Sequence, residues 1–327
     1  MSHHSPTIDD VDALTGLLDG PRANGAFLLR SILSPPWSLL IKDEAPLTVV
    51  AVMQGVAWLI PNGQQPIALR PGGVAVIRGP DHYVVADDPA TAPSIVIHPN
   101  QVSTTMDGEY LCDVMDLGTR AWGDASAGES GSTMLLTGSY QTPSEISRLL
   151  LGALPPVITL PENSWQCPFL DLLNAETMKD DPGQELVLDR LLDLVLIAAL
   201  RAWLARPGSQ TPAWHRARSD AVVGAAIGLL QENPARPWTV ASLAAAVGVS
   251  RAVLARRFTD LVGMPPMAYL AQWRLALAAD LPREPSATMS KVARDVGYST
   301  PFALSAAFKR VRGVSPREYR QAAASGQ

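Results

Sequence analysis

The 327-residue chain has few of the residues that build disulfide frameworks or metal centres, with 2 cysteines and 5 histidines. Two cysteines do not make a disulfide framework, so we expect Cys112 and Cys167 to act as small apolar side chains. A redox or metal role for either cysteine is the minor alternative.

Long uninterrupted apolar runs are also missing. The most apolar segment, around residues 186–204, contains Asp189, Arg190, Asp193 and Arg201, so it cannot span a bilayer. The first ten residues, MSHHSPTIDD, have no apolar core of signal-peptide type. We therefore expect a soluble, cytoplasmic protein with no membrane partner.

Charge is divided unevenly along the chain. Residues 216–327 carry 15 lysines and arginines against 7 aspartates and glutamates, whereas the first 215 residues carry 11 against 24. A basic segment joined to an acidic one indicates a polyanion-binding domain attached to a domain of another purpose. Chance scatter of surface charge is the alternative explanation.

The basic segment contains an internal repeat. LAAAVGVSRAVLARRFTDLVGMPPMAYL, residues 243–270, is followed by VARDVGYSTPFALSAAFKRVRGVSPREYR, residues 292–320. Six residue pairs agree at one offset of fifty positions, from Ser250 with Thr300 to Tyr269 with Tyr319. Such a duplication has to be recognised before the fold is assigned.

Each copy predicts a helix-turn-helix motif, at about residues 240–261 and 289–312. In the first, Thr239 is a suitable N-cap, Gly248 can end the first helix, and Ser250 caps the second. In the second, Thr300 caps and Pro301 occupies the first helical position.

Helical periodicity separates an inward from an outward side of each second helix. Leu254, Arg257, Phe258 and Leu261 share one sector, as do Leu304, Ala307, Phe308 and Val311 in the other copy. If those sectors pack inward, the opposite sides enter the major groove. The predicted DNA-binding residues are Ser250, Arg251, Ala252, Ala255, Arg256, Thr259, Thr300, Pro301, Phe302, Ser305, Ala306, Lys309 and Arg310.

The segment 219–320 resembles the AraC/XylS-type DNA-binding domain, most specifically in VARDVGYSTPFALSAAFKRVRGVSPREYR. The resemblance implies two helix-turn-helix units, joined by a long helix at about residues 267–281, that read successive major grooves of double-stranded DNA. Arg310, Arg312, Arg317 and Arg320 are candidates for phosphate contacts.

Residues 1–142 predict a β domain, because short apolar runs alternate with turns such as Pro61-Asn62-Gly63. LTVVAVMQGVAWLIPNGQQPIALRPGGVAVIRGPDHYVV resembles the cupin-type sensor domain of such regulators. Cupin enzymes hold a metal through a His-x-His pair, which this domain lacks: His82 and His98 stand alone. We therefore expect no metal and no cofactor. Trp37, Trp58, His82 and Tyr83 are candidates for an effector pocket, with core packing as the alternative.

After Thr142 the pattern becomes helical. A first helix is expected after Pro143 and a second from about Gly183 to Arg206 that is apolar nearly all round, either as a buried core helix or as a dimerisation helix. Residues 207–218 read as a linker rich in Pro, Gly, Ser and Thr. Residues 119–132 are expected to form a loop, followed by a strand, TMLLTGSY.

The predicted fold class is thus α+β multidomain: an N-terminal cupin-like β-barrel, a helical dimerisation segment at residues 143–206, and a C-terminal all-α domain with two helix-turn-helix motifs. The predicted function is a non-enzymatic, sequence-specific DNA-binding transcription regulator, dimeric, with a small-molecule effector and a possible RNA polymerase contact. A cupin-type enzyme with incidental DNA binding and a low-specificity DNA-packaging protein are the alternatives.

Overall fold

A computed structural model describes residues 26–124, 129–140, 154–206, 217, 220–280, 288–316 and 318–319. These residues fall into two units, a β-rich one up to residue 206 and a helical one from residue 217. The predicted helix that follows Pro143 begins outside the described residues. The predicted linker lies outside them too, except for Ala217, and so do Arg317 and Arg320.

In the part of the first unit that the structure describes there are two six-stranded sheets. The strands are β1 (Phe27–Leu33), β2 (Ser38–Ile41), β3 (Leu47–Gln54), β4 (Ala57–Pro61), β5 (Ile67–Leu69), β6 (Val74–Arg78), β7 (Tyr83–Ala86), β8 (Ile95–Ile97), β9 (Ser103–Thr105), β10 (Ala121–Gly123), β11 (Thr133–Tyr140) and β12 (Val157–Leu160). One sheet has the order β10-β1-β11-β3-β6-β12 and the other β5-β4-β7-β2-β8-β9. All pairings are antiparallel except β1 with β10 and β2 with β8.

The two sheets enclose one apolar core. Alternate residues of β3 and β6, such as Val50 and Ala75, meet Leu39 of β2 and Leu59 of β4 in a single buried cluster. This alternation buries one face of each sheet and leaves the other for solvent or helices. The predicted β-rich N-terminal domain is confirmed by these two sheets. The predicted hairpin at Pro61 is also confirmed, since β4 pairs with β5 and the Gln64 amide donates to the Pro61 carbonyl at 3.1 Å.

Two strands lie where the sequence predicted something else. β12 falls inside the segment predicted to be helical, and it pairs with β6 from Leu160 to Val157. β10 falls inside the expected loop of residues 119–132 and pairs with β1. Both strands are only three or four residues long, too short for a periodic pattern to distinguish, and pairing with a longer strand defines them.

Within the described residues, two α-helices follow the strands, α1 (Pro168–Glu176) and α2 (Gln184–Leu204). α2 lies against the sheet at β11, where Gly138 leaves room for Leu192: a Cβ atom on Gly138 would come within 2.5 Å of Leu192 Cδ1. The Tyr140 hydroxyl donates to Asp193 at 3.2 Å and the Ala26 amide donates to Asp189 at 3.2 Å.

α2 is buried on the side that packs against the sheet but not all round, and dimerisation through it stays a prediction. Leu186, Val187 and Leu194 remain 67%, 45% and 38% exposed on the flank away from the sheet. Within the described residues, no helix combines the length and the apolar character needed to cross a membrane.

The second unit contains six helices in its described residues: α3 (Ala221–Glu232), α4 (Val240–Ala246), α5 (Arg251–Val262), α6 (Pro266–Asp280), α7 (Met289–Asp295) and α8 (Pro301–Arg312). Two apolar cores divide this unit. One gathers α3, α4 and α5 around Leu254 and Phe258, and the other gathers α7 and α8 around Leu304 and Phe308. α6 contributes to both, with Leu270 in the first and Leu275 in the second, so it is the predicted connecting helix.

Candidate nucleic-acid interface

The first helix-turn-helix is α4, a turn and α5. Thr239 caps α4 in a capping box with Ser242, whose amide donates to Thr239 Oγ1 at 3.0 Å. Gly248 then adopts φ +72°, which a glycine reaches without steric cost. Ser250 caps α5 by accepting from the Val253 amide at 3.3 Å. The caps satisfy amides that the first turn of each helix leaves without partners, so the sequence determines where both helices begin.

The second helix-turn-helix, α7 and α8, has the same kinds of N-cap and the same turn glycine. Thr288 Oγ1 accepts from the Lys291 amide at 3.3 Å, and Thr300 Oγ1 accepts from the Ala303 amide at 3.1 Å. Gly297 takes φ +81° in the turn between the helices. Both recognition helices, α5 and α8, end at glycines with left-handed backbone, Gly263 at φ +82° and Gly313 at φ +78°.

The same aromatic contact closes each copy. The Phe258 and Tyr269 rings meet edge to face with centroids 5.8 Å apart, and the Phe308 and Tyr319 rings do so at 5.5 Å. Each phenylalanine lies on a recognition helix, and each tyrosine comes from the segment after it. Both copies end with the spacing Gly-x-x-Pro-x-x-Tyr, from Gly263 to Tyr269 and from Gly313 to Tyr319. The tyrosine of this ending anchors each recognition helix to the chain that follows.

On α5 the predicted outward side is accessible. Ala252, Arg256 and Thr259 are exposed and Ala255 is half-buried, whereas Leu254 and Phe258 are fully buried. Among the described residues, no hydrogen bond or ion pair engages the guanidinium group of Arg251 or of Arg256. Both guanidinium groups are thus available to an external partner, although contact with DNA stays a prediction.

The predicted outward side of α8 is also accessible to solvent. Phe302 is 82% exposed, Ala306, Lys309 and Arg310 are exposed, and Ser305 is half-buried. The Phe302 ring, at the start of a recognition helix, is thus accessible to an external partner.

The inward assignment of Val311 is wrong, because this side chain is 50% exposed. It follows Phe308 by three residues, near the carboxyl end of α8, where the helix has passed the core that Leu304 and Phe308 fill.

Arg257 has a structural partner rather than a free outward position. Its Nε donates to Asp220 Oδ2 at 2.8 Å, and Asp220 also caps α3 by accepting from the Val222 and Val223 amides at 3.0 Å each. Burial alone would raise the pKa of Asp220. The Val223 amide, the Arg257 guanidinium and the Val222 amide outweigh burial, and hold that pKa below its ordinary value. Arg257 thus ties α5 to α3.

Another arginine that sequence patterns did not single out lies between the two motifs. Arg274 of α6 donates from Nε to the Pro234 carbonyl at 2.7 Å and from Nη2 to the Arg236 carbonyl at 2.9 Å. Burial lowers the pKa of Arg274. As the single basic residue of α6, PMAYLAQWRLALAAD, Arg274 could have been identified from the sequence.

The four effector candidates of the barrel are not brought together in one cleft. Trp37 and Tyr83 belong to the buried core, Trp58 is half-buried and His82 is exposed. His98, the other lone histidine, lies within hydrogen-bond distance of Thr104 Oγ1, at 2.9 Å from Nε2. No three histidine, cysteine, aspartate or glutamate side chains converge as a metal site in the part of the chain that the structure describes.

A cleft of about 620 Å³ opens elsewhere on the barrel unit. Its lining includes Pro35, Gln54, Val56, Asp87 and Thr133, and none of the four predicted effector residues. The sequence could not locate this cleft, because its lining comes from separate stretches of the chain that the fold brings together.

Comparison with known proteins gives a consistent assignment of both units. Residues 12–205 match the Cupin family, and residues 243–322 match the helix-turn-helix domain family. An AraC-like transcription regulator of Streptomyces lividans is 33% identical over 291 residues, which cover 86% of this chain and 89% of that protein. The HTH-type transcriptional regulator AlkR of Acinetobacter baylyi is 28% identical over 320 residues, 95% of this chain and 99% of that protein.

Among solved structures, the DNA-binding domain of AdpA in complex with a target DNA is 30% identical. That match covers 33% of this chain and 97% of the other, with a TM-score of 0.31.

Proposed function

Because the chain belongs to the family of AraC-like transcription regulators, we propose that it recognises specific DNA sites through α5 and α8 and that a small molecule bound by its cupin domain controls this recognition. The observation that carries the DNA part is the exposure of matching surfaces on the two recognition helices, each held by the same caps and the same Phe–Tyr contact.

Contacts with phosphates supply most of the affinity in this proposal. The basic excess of residues 216–327 attracts the DNA backbone, and amides at the starts of α5 and α8 are placed to meet phosphate oxygens. Lys309 and Arg310 are exposed beside the second recognition surface and would add cationic contacts. These interactions position the protein but do not discriminate between sequences.

Arg256 is the base-reading residue of α5. Its guanidinium is exposed and unengaged within the described chain, and an arginine can bond guanine O6 and N7 together in the major groove. Ala252 and Ala255 offer methyl groups to thymine, and Thr259 adds a hydroxyl whose proton is already donated to the Ala255 carbonyl at 2.8 Å.

α8 reads by shape and apolar contact more than by hydrogen bonds. Phe302 packs on a thymine methyl or a base edge, and Ser305 supplies one hydroxyl. With few hydrogen-bonding groups on this surface, the deformability of the DNA sequence contributes to selectivity.

The cupin domain binds the effector rather than catalysing a reaction. Trp37 is buried, and its Nε1 has no hydrogen-bond partner among the described residues, so a ligand acceptor would satisfy it. Asp87, which lines the 620 Å³ cleft, donates its backbone amide to the Trp37 carbonyl at 3.1 Å, so the cleft lies beside Trp37 although Trp37 does not line it. An effector entering this cleft and reaching Trp37 would disturb the barrel core around it.

The functional molecule is a cytoplasmic homodimer that acts on promoters, in contact with RNA polymerase. The exposed side of α2 holds the apolar residues Leu186, Val187 and Leu194 together with Arg190 and Arg201, and the same side of a second copy would cover the apolar residues.

Competition binding of the full chain tests this function. DNA sequences selected from a random pool should compete at least about a thousandfold better than bulk DNA. A ratio near one would instead establish the low-specificity packaging function.

Replacing Arg256 by alanine should weaken binding to the selected site by about 1–3 kcal/mol and relax the preference at one G·C pair. Arg294→Ala serves as the control, since this exposed arginine lies on α7, outside both recognition helices, and should leave the base preference unchanged. Equal weakening on all sequences would contradict the assignment of Arg256 to base reading.

A further inference from the structure

The turn of the second helix-turn-helix lies directly on the chain that leads into the first. A Cβ atom on Gly297 would come within 2.8 Å of the Ala235 Cα atom and 2.9 Å of the Pro234 carbonyl oxygen. Real Cβ atoms essentially never approach backbone so closely. Residues 234–236 connect α3 to α4, two helices of the first apolar core, so this is a backbone contact between the two motifs.

Arg274, on the connecting helix α6, contacts the same segment of residues 234–236. It bonds the carbonyls of Pro234 and Arg236, and its Nη2 would lie 2.8 Å from a Cβ on Gly297. The turn that receives it is itself fixed, because the Trp238 indole donates to the Asn233 carbonyl at 3.1 Å and the Arg236 guanidinium stacks on the Trp238 ring. One guanidinium thus holds the entrance of the first motif against the turn of the second.

We propose that Gly297 and Arg274 set the angle between the two recognition helices and thereby determine which spacing between two DNA elements the protein accepts. This inference rests on the proposed function, since it assumes that both helices read DNA. Each base pair inserted between the elements moves the second by about 3.4 Å and rotates it by about 35°. A rigid pair of motifs can follow such a change only by giving up one set of contacts.

The duplication supplies a matched control for this contact. Gly248 holds the corresponding turn position in the first motif, with φ +72° against +81° for Gly297, but nothing lies within 4 Å of a Cβ built there. Alanine at either position meets similar backbone strain. Only alanine at position 297 also pushes the two motifs apart.

The experiment uses the full chain and DNA duplexes selected by it from a random pool. Duplexes with one base pair inserted or deleted between the two elements, and duplexes that retain one element, are titrated with wild type, Gly297→Ala, Gly248→Ala and Arg274→Lys. The readout is the ratio of dissociation constants between inserted and selected spacing. Thermal unfolding of each variant reports its stability separately.

For the wild type we expect a one-base-pair insertion to weaken binding by at least about tenfold, because the second motif loses its local concentration advantage. Gly297→Ala should bind the selected spacing at least about tenfold more weakly, with its spacing ratio near one or its preferred spacing moved, while single-element duplexes bind as in wild type. Gly248→Ala should keep the wild-type ratio even though it unfolds at a lower temperature. Arg274→Lys retains the charge but cannot reach both carbonyls as the guanidinium does, and should change the ratio in the same direction.

A wild-type spacing ratio in Gly297→Ala overturns the proposal, and so does an equally altered ratio in Gly248→Ala. If Gly297→Ala fails to fold, Arg274→Lys decides the matter by the same ratio. Should the wild type select no sequence at all, the proposed function fails. Selection of a specific sequence whose spacing has no effect on wild-type binding refutes this inference alone.

Discussion

Asp220 illustrates how one side chain can organise a recognition helix without touching DNA. Its carboxylate caps α3 through two amides and receives Arg257 of α5. The ion pair holds the Arg257 side chain towards α3, whereas the neighbouring Arg256 is exposed and has no such partner in the described chain. Two adjacent arginines thereby take different roles.

Replacing Asp220 by alanine should lower the free energy of unfolding by about 1–3 kcal/mol, because α3 loses its cap and Arg257 its partner. Urea denaturation measures this difference. Asp260→Ala is the matched control: Asp260 is an exposed carboxylate on α5, and its loss should stay within about 0.5 kcal/mol. Equal effects of the two substitutions would contradict the structural role of Asp220.

The same carboxylate should make stability depend on pH in a defined direction. Since the pKa of Asp220 is depressed in the folded state, its stabilisation is fully present above the unfolded value of about 3.9 and is lost as pH falls through the folded value. The stability difference between wild type and Asp220→Asn should therefore shrink as pH is lowered from 5 towards 2. A difference that stayed constant or grew over that range would exclude a depressed pKa.

At the scale of elements, the duplicated motif was predictable because each of its signals is local. Caps at Ser250 and Thr300, glycines at the helix ends and the inward Leu and Phe positions all follow from spacing along one helix. The bounds of α2, expected near residues 183–206, were likewise close to the observed Gln184–Leu204.

Long-range contacts escaped prediction. β12 is a strand because β6 pairs with it, and the role of Arg274 depends on carbonyls about forty residues away. The cleft beside Asp87 gathers residues from four parts of the chain, so no single stretch signals it. Periodicity says which side of an element is apolar but not what that side meets.

The prediction about dimerisation concerns the exposed side of α2. Leu194→Glu would place a charge beside the exposed apolar residues Leu186 and Val187 of α2. This substitution should convert the proposed dimer to a monomer, as measured by sedimentation equilibrium. Val114→Glu, at an exposed apolar residue of a barrel loop, is the control and should leave the mass unchanged. A dimer that persists in Leu194→Glu would show that α2 is not the interface.

At the scale of the molecule, an acidic unit with a β core is joined to a basic helical unit. The proposed effector binding belongs to the first unit and the proposed DNA binding to the second. The first 215 residues carry 24 acidic against 11 basic residues, whereas the remaining segment has 15 basic against 7 acidic. Nucleic acid is therefore repelled by one part of the chain and attracted by the other.

The most direct test of two-motif recognition is methylation protection of guanine N7 on a selected duplex by the full chain. The structure predicts two protected stretches in successive major grooves, about 10 base pairs apart, with Arg256→Ala removing protection of a guanine in one stretch only. A single protected stretch, or protection spread evenly along the DNA and unaltered by Arg256→Ala, would contradict recognition by two helix-turn-helix motifs.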